Sequence, residues 1–459
     1  MSATETPITT LFPASKNPAD LQGKAVQLVA SNGDAMLFDA SLLSTPAKDL
    51  SMYSVEGQSL GARSTANMYV VRTAGTYKFP LVYGNAIEGG VKNEAAYTRQ
   101  GSTYTADFVN HLGVAITDPY IEKNANCQAY SAGLLWQTGQ SLITSVQLVE
   151  GGDCKYVQFS TGAIPATNGL AVLFVKDSQG RIMWSWTIWL TSDELGPDDY
   201  TNHSPADYKL MSENIGTIWN DARTRCVNPH YQWGRKDAFV PPSAYNSGSQ
   251  MTVYDISNNV ITAGSTLGSS VIGVYGTDAD GDASKTVANA IQNPGIFFTR
   301  YDSASNTWCN LAWHNNFWNA AITASGDLGD NQASAIKTIY DPSPVGYMLP
   351  AGRAFTGFTT TGDNTSDSSQ FNVVGSWANG WNMKKKSTDA VGNYYPASGY
   401  RAYDSGGLAR VGSGGFYWSF APSSQTNARY LYFYSGYIGP LDFNFRSIGF
   451  SVRPSREIL

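Results

Sequence analysis

Between Met68 and Leu190 the apolar positions fall in short runs separated by turn residues: "MYVVRTAGTYKFPLVYGNAI", "SLITSVQLVE", "YVQFST" and "GLAVLFVKDSQGRIMWSWTIWLT". Runs of this length, rich in Val, Ile, Thr, Tyr and Trp, predict strands. In the last of them Asp177-Ser178-Gln179-Gly180 divides two apolar runs, which predicts a hairpin with a glycine closing its turn. Several strands at such spacing predict an antiparallel β-sandwich over 61–195. Residues 1–60 carry no strong periodicity and predict an extended attachment segment. The charged, proline-containing stretch 191–208, "TSDELGPDDYTNHSPADY", predicts a linker. A third region, 196–459, is rich in Trp and Gly.

Near the C-terminus the alternation sharpens. Tyr430, Tyr432 and Tyr434 alternate with Leu431 and Phe433, and a period of two sends the tyrosines to one face of a strand and the apolar pair to the other. One face can serve the core, which leaves the tyrosines to be explained. Phe416, Trp418 and Phe420 in "GGFYWSF" alternate too, Trp418 reading as core and Phe416 and Phe420 as a border to the tyrosine face. Tyrosine offers a large contact area, a hydroxyl and few rotors to freeze, so an exposed cluster reads as a recognition surface. The competing reading is a cross-strand ladder that stabilises a sheet edge.

Composition sets limits on both. Charged residues make up only 14% of the chain while Gly numbers 45 and Tyr 27, which predicts a turn-rich, mainly β protein with few helices. A net charge of −6 argues against a nucleic-acid partner, since phosphate binding needs a basic face. The single basic run, Lys384-Lys385-Lys386, reads as a solvated loop. No stretch approaches the ~20 apolar residues of a membrane span, so no membrane insertion is expected. Residues 1–30 lack a basic stretch followed by an apolar core, and no signal peptide is expected there.

Candidate chemistry is sparse. The cysteines Cys127, Cys154, Cys226 and Cys309 fall two in each half, so pairing within each half and isolated thiols both stay open. They form no CxxC pair, and the histidines His111, His203, His230 and His314 are scattered, so no structural zinc is expected. "DADGD", Asp278 to Asp282, gathers three carboxylates on a turn but lacks the full spacing of a calcium loop, and reads as a solvated loop. No pair of carboxylates is nominated for glycoside hydrolysis. The expectation is a protein with no catalytic residues, no metal and no cofactor.

Landmarks along the third region, "LMSENIGTIWNDA", "YQWGRKDAF", "KTIYDPSPVGYMLP", "FNVVGSWANGWN", "YYPASGYRAYDSGGLARVGSGGFYWSF" and "RSIGFSVRPSRE", resemble the C-type-lectin-like domains of Bacteroidales surface and phage proteins. That family includes the paralogous domains first described from Fibrobacter and the variable proteins of diversity-generating retroelements. The region 61–195 resembles fimbrillin-like modules. Taken with the strand pattern, the resemblance implies a mainly β chain with an α+β C-terminal domain, a fimbrillin- or immunoglobulin-like sandwich followed by a lectin-like ligand-binding domain at 196–459. The sequence departs from the family at Asp341-Pro342-Ser343-Pro344, where a cysteine usually stands in place of the serine. Formylglycine-generating enzymes share the fold, but no cysteine follows Cys309, so a thiol oxidase is disfavoured.

In the retroelement proteins, rewritten asparagine codons near the C-terminus change positions that the fold displays together. The resemblance places such positions at Tyr430, Tyr432, Tyr434, Tyr437, Gly439, Asp442, Phe443, Asn444, Phe445 and Ile448, with Phe416 and Phe420 alongside. Leu431, Phe433, Gly436, Pro440, Arg446, Gly449, Phe450 and Arg453 read as framework. It implies a receptor-binding protein of a phage tail that recognises a protein or glycan on a host cell surface. Contacts to other tail proteins through the N-terminal region and a homotrimeric assembly go with that expectation. A bacterial pilus-tip or surface adhesin is the alternative, and a purely structural virion protein the second.

Overall fold

The computed structural model describes residues 26–29, 35–38, 46–100, 108–201, 208–261, 283–299, 307–308, 315–322 and 334–457. It divides at Lys48 into two compact units, Met1–Lys48 and Asp49–Leu459. In the first, Val26–Val29 pairs antiparallel with Ala35–Phe38. Within the expected attachment segment 1–60 the chain thus carries a pair of antiparallel strands, and the division between the units falls at 48/49.

The second unit begins with two sheets built largely from the predicted runs. One strand, β1 (Met68–Val71), continues into β2 (Gly75–Pro80); then come β3 (Ser131–Gln137), β4 (Ile143–Val149), β5 (Tyr156–Thr161), β6 (Gly169–Lys176) and β7 (Ile182–Leu190). Strands β2, β5 and β4 lie side by side in that order, and β1, β7, β6 and β3 form the other sheet. The β6–β7 hairpin turns where the sequence placed it. Gly180 takes a φ of +80°, which favours glycine, and Asp177 Oδ1 accepts from the Gln179 and Arg181 amides at 2.9 Å. One pairing departs from the expected antiparallel pattern, because β1 runs parallel to β7.

Side chains of the two sheets meet in a common core, where the Phe79 ring lies 4.9 Å from both Trp186 and Tyr69. All nine residues of β7 are buried, which explains its unbroken apolar pattern. Its other face, which carries Ser185 and Trp189, packs against later chain: the Ser185 hydroxyl donates to Asp237 Oδ1 at 3.0 Å, and the helix Ala283–Gln292 lies against the same strand.

The predicted linker does not separate two bodies. Pro197–Tyr200 pairs with Tyr208–Met211, and Leu210 in turn pairs with Ser455 near the end of the chain. Tyr200 is buried against Phe358 and Tyr395, and Asp198 accepts from Lys385 at 2.5 Å. Contacts across the expected boundary are buried and polar. Asn67 Nδ2 donates to the Ile339 and Asp341 carbonyls at 2.5 and 2.8 Å, and Trp189 Nε1 donates to the Thr217 carbonyl at 3.2 Å. Buried groups of this kind would lose their partners if the halves parted, which is why 49–459 holds together.

The last third is mainly β as well. Strands β8 (Gly415–Pro422), β9 (Asn427–Tyr434) and β10 (Tyr437–Phe445) form an antiparallel sheet in that order. Among the described residues the one α-helix is Ala283–Gln292. "QWGRKD" is an interior feature: Arg235 and Lys236 both pair with Asp237, at 2.9 and 2.7 Å, and all three are buried. Cys127, Cys154 and Cys226 are free thiols, while Cys309 and the Asp278–Asp282 turn lie outside the described residues.

Candidate ligand-binding face

The site is built on the hairpin of β9 and β10, joined by Ser435-Gly436. Residues directly opposite one another in a sheet share a face, so the register shows what the tyrosines stand beside. Tyr430 is opposite Trp418 and Asp442, Tyr432 is opposite Phe416 and Gly439, and Tyr434 is opposite Tyr437. The other face carries Leu431 opposite Tyr417, and Phe433 opposite Ile438, all fully buried. The alternation read from the sequence therefore holds for β9.

Exposure rises along the tyrosine face towards the hairpin tip. Tyr430 is 6% exposed, Tyr432 is half-buried and Tyr434 is 37% exposed. The cause is Phe450, on the short strand Gly449–Phe450, whose ring covers Tyr430 at 4.6 Å, Trp418 at 4.2 Å and Phe416 at 5.2 Å. Towards the tip the rings pack on one another, some stacked and some tilted. Tyr432 lies 4.7 Å from Phe416, 5.8 Å from Tyr434 and 5.4 Å from Tyr437, and Tyr434 stacks on Tyr437 at 5.8 Å. Each such pair contributes about 0.5–1.5 kcal/mol beyond its buried area.

Polar groups fix the hydroxyls. Arg410 donates to the Tyr432 hydroxyl, and the Tyr437 hydroxyl donates to Asp442 Oδ2 at 2.9 Å. Asn364 completes the bracket: its Nδ2 donates to Asp442 Oδ1 at 3.1 Å, and its Oδ1 accepts from the Leu441 amide at 3.1 Å. Burial raises the Asp442 carboxyl above its usual range, against the opposing effect of the hydrogen bonds from Tyr437 and Asn364. The Tyr437 hydroxyl is raised as well, by burial and then by Asp442, so it remains a donor at neutral pH. On the outer side of β10, Thr365 exchanges backbone hydrogen bonds with Ile438 at 2.9 and 3.0 Å, which closes that part of the sheet edge.

Several expected display positions are interior and are corrected here. Phe420 is fully buried; Phe416, Tyr430 and Ile448 are 5%, 6% and 4% exposed, so none offers a contact area. Gly439 is buried beneath the Tyr437–Asp442 bridge, and a Cβ there would stand 2.2 Å from Asp442 Oδ2. A bulge shifts the phase of β10, because Pro440 and Leu441 together face Leu431. Phe443, 60% exposed, consequently pairs with Arg429 on the side of Leu431 and Phe433, away from the tyrosines. Phe445 pairs with Asn427 and packs on Tyr403 at 5.2 Å. Asn444, half-buried, shares the Tyr430 face and hydrogen-bonds that hydroxyl.

The structure thus brings Tyr432, Tyr434, Tyr437 and Asp442 together. Sequence reasoning missed Arg410 and Asn364, which lie 22 residues from Tyr432 and 78 from Asp442 and share no local pattern with the hairpin. It did hold a signal for the bulge, a proline inside a strand, at Pro440. The gathered groups are stacked rings rimmed by carboxylate, carboxamide and guanidinium, a set suited to stacking and hydrogen bonding. Among the described residues no cluster of three His, Cys, Asp or Glu side chains is placed to hold a metal. No helix among them is long and apolar enough to cross a membrane.

Comparison of the chain with protein-family models, curated proteins and solved structures finds no match.

Proposed function

We propose that the chain is a receptor-binding protein that holds a cell-surface ligand on the face formed by Tyr432, Tyr434 and Tyr437, and that it is not an enzyme. One observation carries this reading: at the hairpin tip three tyrosine rings pack together, Tyr434 stacked on Tyr437 and Tyr432 tilted against both, with the Tyr432 and Tyr437 hydroxyls pinned by Arg410 and Asp442. Rings ordered before a ligand arrives lose little entropy on binding, and aromatic anchors of that kind dominate contact energies. A cross-strand ladder describes the Tyr434–Tyr437 pair as well, but the 37% of Tyr434 left exposed is contact area that a ladder alone does not use.

The sequence resemblance extends the proposal. It would make 61–195 a fimbrillin-like sandwich, 196–459 a lectin-like portion of the same body and the whole a phage tail component facing a Bacteroidales host. Met1–Lys48, a compact unit of its own, suits attachment to other tail proteins. Many copies on a virion would turn modest single-site affinity into firm attachment.

The test is replacement of Tyr432, Tyr434 and Tyr437 together by serine, followed by binding of the fluorescently labelled protein to a panel of gut Bacteroidales strains. Loss of at least tenfold in cell binding, with an unchanged circular dichroism spectrum, supports the proposal. A folded variant that binds the same strains as before overturns it.

A further inference from the structure

We propose that a second site, a groove that shares no lining residue with the tyrosine hairpin, binds a small organic cation with an apolar body. The groove has a volume of about 610 Å³, within the range of small-molecule sites. Three pieces of chain enclose it: the loop 54–65, the short hairpin of Ile87–Glu88 and Val91–Lys92, and the strand Ser455–Arg456 with Tyr347 beside it. Its walls are mostly apolar, from Leu60, Ala62, Ile87, Val91, Val345 and Tyr347. Leu60 and Val91 are 38% and 68% exposed, which leaves two large apolar side chains uncovered on its rim.

The charges in the groove give the sign of the ligand. Glu56, Glu88 and Glu457 line it together with Lys92, Lys337 and Arg456. Both lysines have acidic partners: Lys92 Nζ pairs with Asp118 at 2.7 Å, and Lys337 Nζ pairs with Glu457, itself in the groove, at 2.9 Å and donates to the Pro344 carbonyl. Arg456 is exposed. Glu88 is half-buried, and among the described residues its hydrogen-bonding neighbour is Asn93 Nδ2 at 3.3 Å, with no cation in ion-pairing reach. Burial and then the neighbouring Glu457 disfavour its charge, and Lys337, already paired with Glu457, opposes them only in part. An ammonium group seated at Glu88 would relieve that and leave the attached carbon chain against Leu60, Ile87 and Val91.

Three probes of one length separate charge from apolar contact: hexylamine, hexanol and hexanoate, titrated into the full chain with methyl resonances of Leu60, Ile87, Val91 and Val345 observed by NMR. Hexylamine should produce saturable shifts and bind at least tenfold more tightly than hexanoate, with hexanol between them. In Glu88→Gln the amine should fall to the level of the alcohol while hexanol is unaffected. Val91→Ser, at an exposed position, should weaken all three. The proposal is overturned if no probe gives saturable shifts, if hexanoate or hexanol matches hexylamine, or if Glu88→Gln leaves the amine unchanged.

Discussion

Replacing Glu213 with glutamine should remove a stability term that depends on pH in a known direction. Glu213 sits between Ser212 and Asn214, beside the buried Arg453, and its Oε2 is buried with no hydrogen-bond partner. Burial, then the neighbouring Asp193, push its carboxyl up from 4.5 to about 8, while Arg453 and Arg223 pull the other way. Asp193 stays ionised because Arg223, Asn168 and Trp219 all donate to it. A carboxyl whose pKa is higher in the fold than in the unfolded chain favours folding when protonated. Its contribution is therefore complete below pH 4.5 and lost as pH rises through about 8. At about 1.4 kcal/mol per pH unit that interval amounts to roughly 3–5 kcal/mol. His230 acts in the opposite sense, since burial and then Arg401 push it down to about 3, so its contribution is lost as pH falls below 6.5. The two oppose each other between about pH 5 and 6, and the wild-type curve alone does not isolate Glu213. The difference between wild type and Glu213→Gln does. Urea unfolding followed by tryptophan fluorescence from pH 5 to 9 should show the variant gaining on the wild type steadily above pH 5, ending about 3–5 kcal/mol ahead of its relative position at pH 5. A difference that stays flat across that range would refute the argument.

Gly439→Ala should destabilise the protein by about 1–3 kcal/mol in thermal or urea unfolding, because the added methyl cannot coexist with the Tyr437–Asp442 hydrogen bond above it. An unchanged midpoint would mean that the bridge moves aside freely. Phe420→Ala should cost about 3–5 kcal/mol, as expected for a fully buried ring, and should leave cell binding by the remaining folded protein unchanged. Reduced binding at full stability would return Phe420 to the site.

How much of this was legible in sequence depends on how far apart the partners lie along the chain. The hairpin of β6 and β7 needed only two apolar runs and a four-residue turn, and all its determinants are local. The faces of β9 were legible for the same reason. What covers each face was not, because Phe450 reaches Tyr430 and Trp418 by way of a different strand, and alternation cannot say which end of a face is roofed. The linker failed for a related reason. "GPDDY" reads as polar loop, yet Asp198 has Lys385 and Asn393 as partners nearly 200 residues on, and Tyr200 fills a space between Phe358 and Tyr395. Charge and proline mark a turn locally, while burial is decided by those remote side chains.

The same division limits what the tyrosine face could vary without unfolding. Arg446 and Arg453 are buried cations that tie the C-terminal chain to the rest. Arg446 Nη2 donates to Asn315 Oδ1 at 2.6 Å with its guanidinium over the Trp233 ring, and Arg453 reaches Asn214 Oδ1 at 2.6 Å and the Tyr394 carbonyl at 2.8 Å. Removing either would leave several buried acceptors unpaired. Above these anchors, Leu431, Phe433 and Ile438 fill the interior from one face of the hairpin, and Phe450 seals the Tyr430 end of the other. On the tyrosine face, the side chains beyond that seal, at 432, 434, 437 and 442, are the ones that can change size or polarity with least disturbance of the core. Under the proposed reading the retunable surface is therefore narrower than alternation implies. Its specificity would come from three rings and the polar bracket around them rather than from ten independent positions.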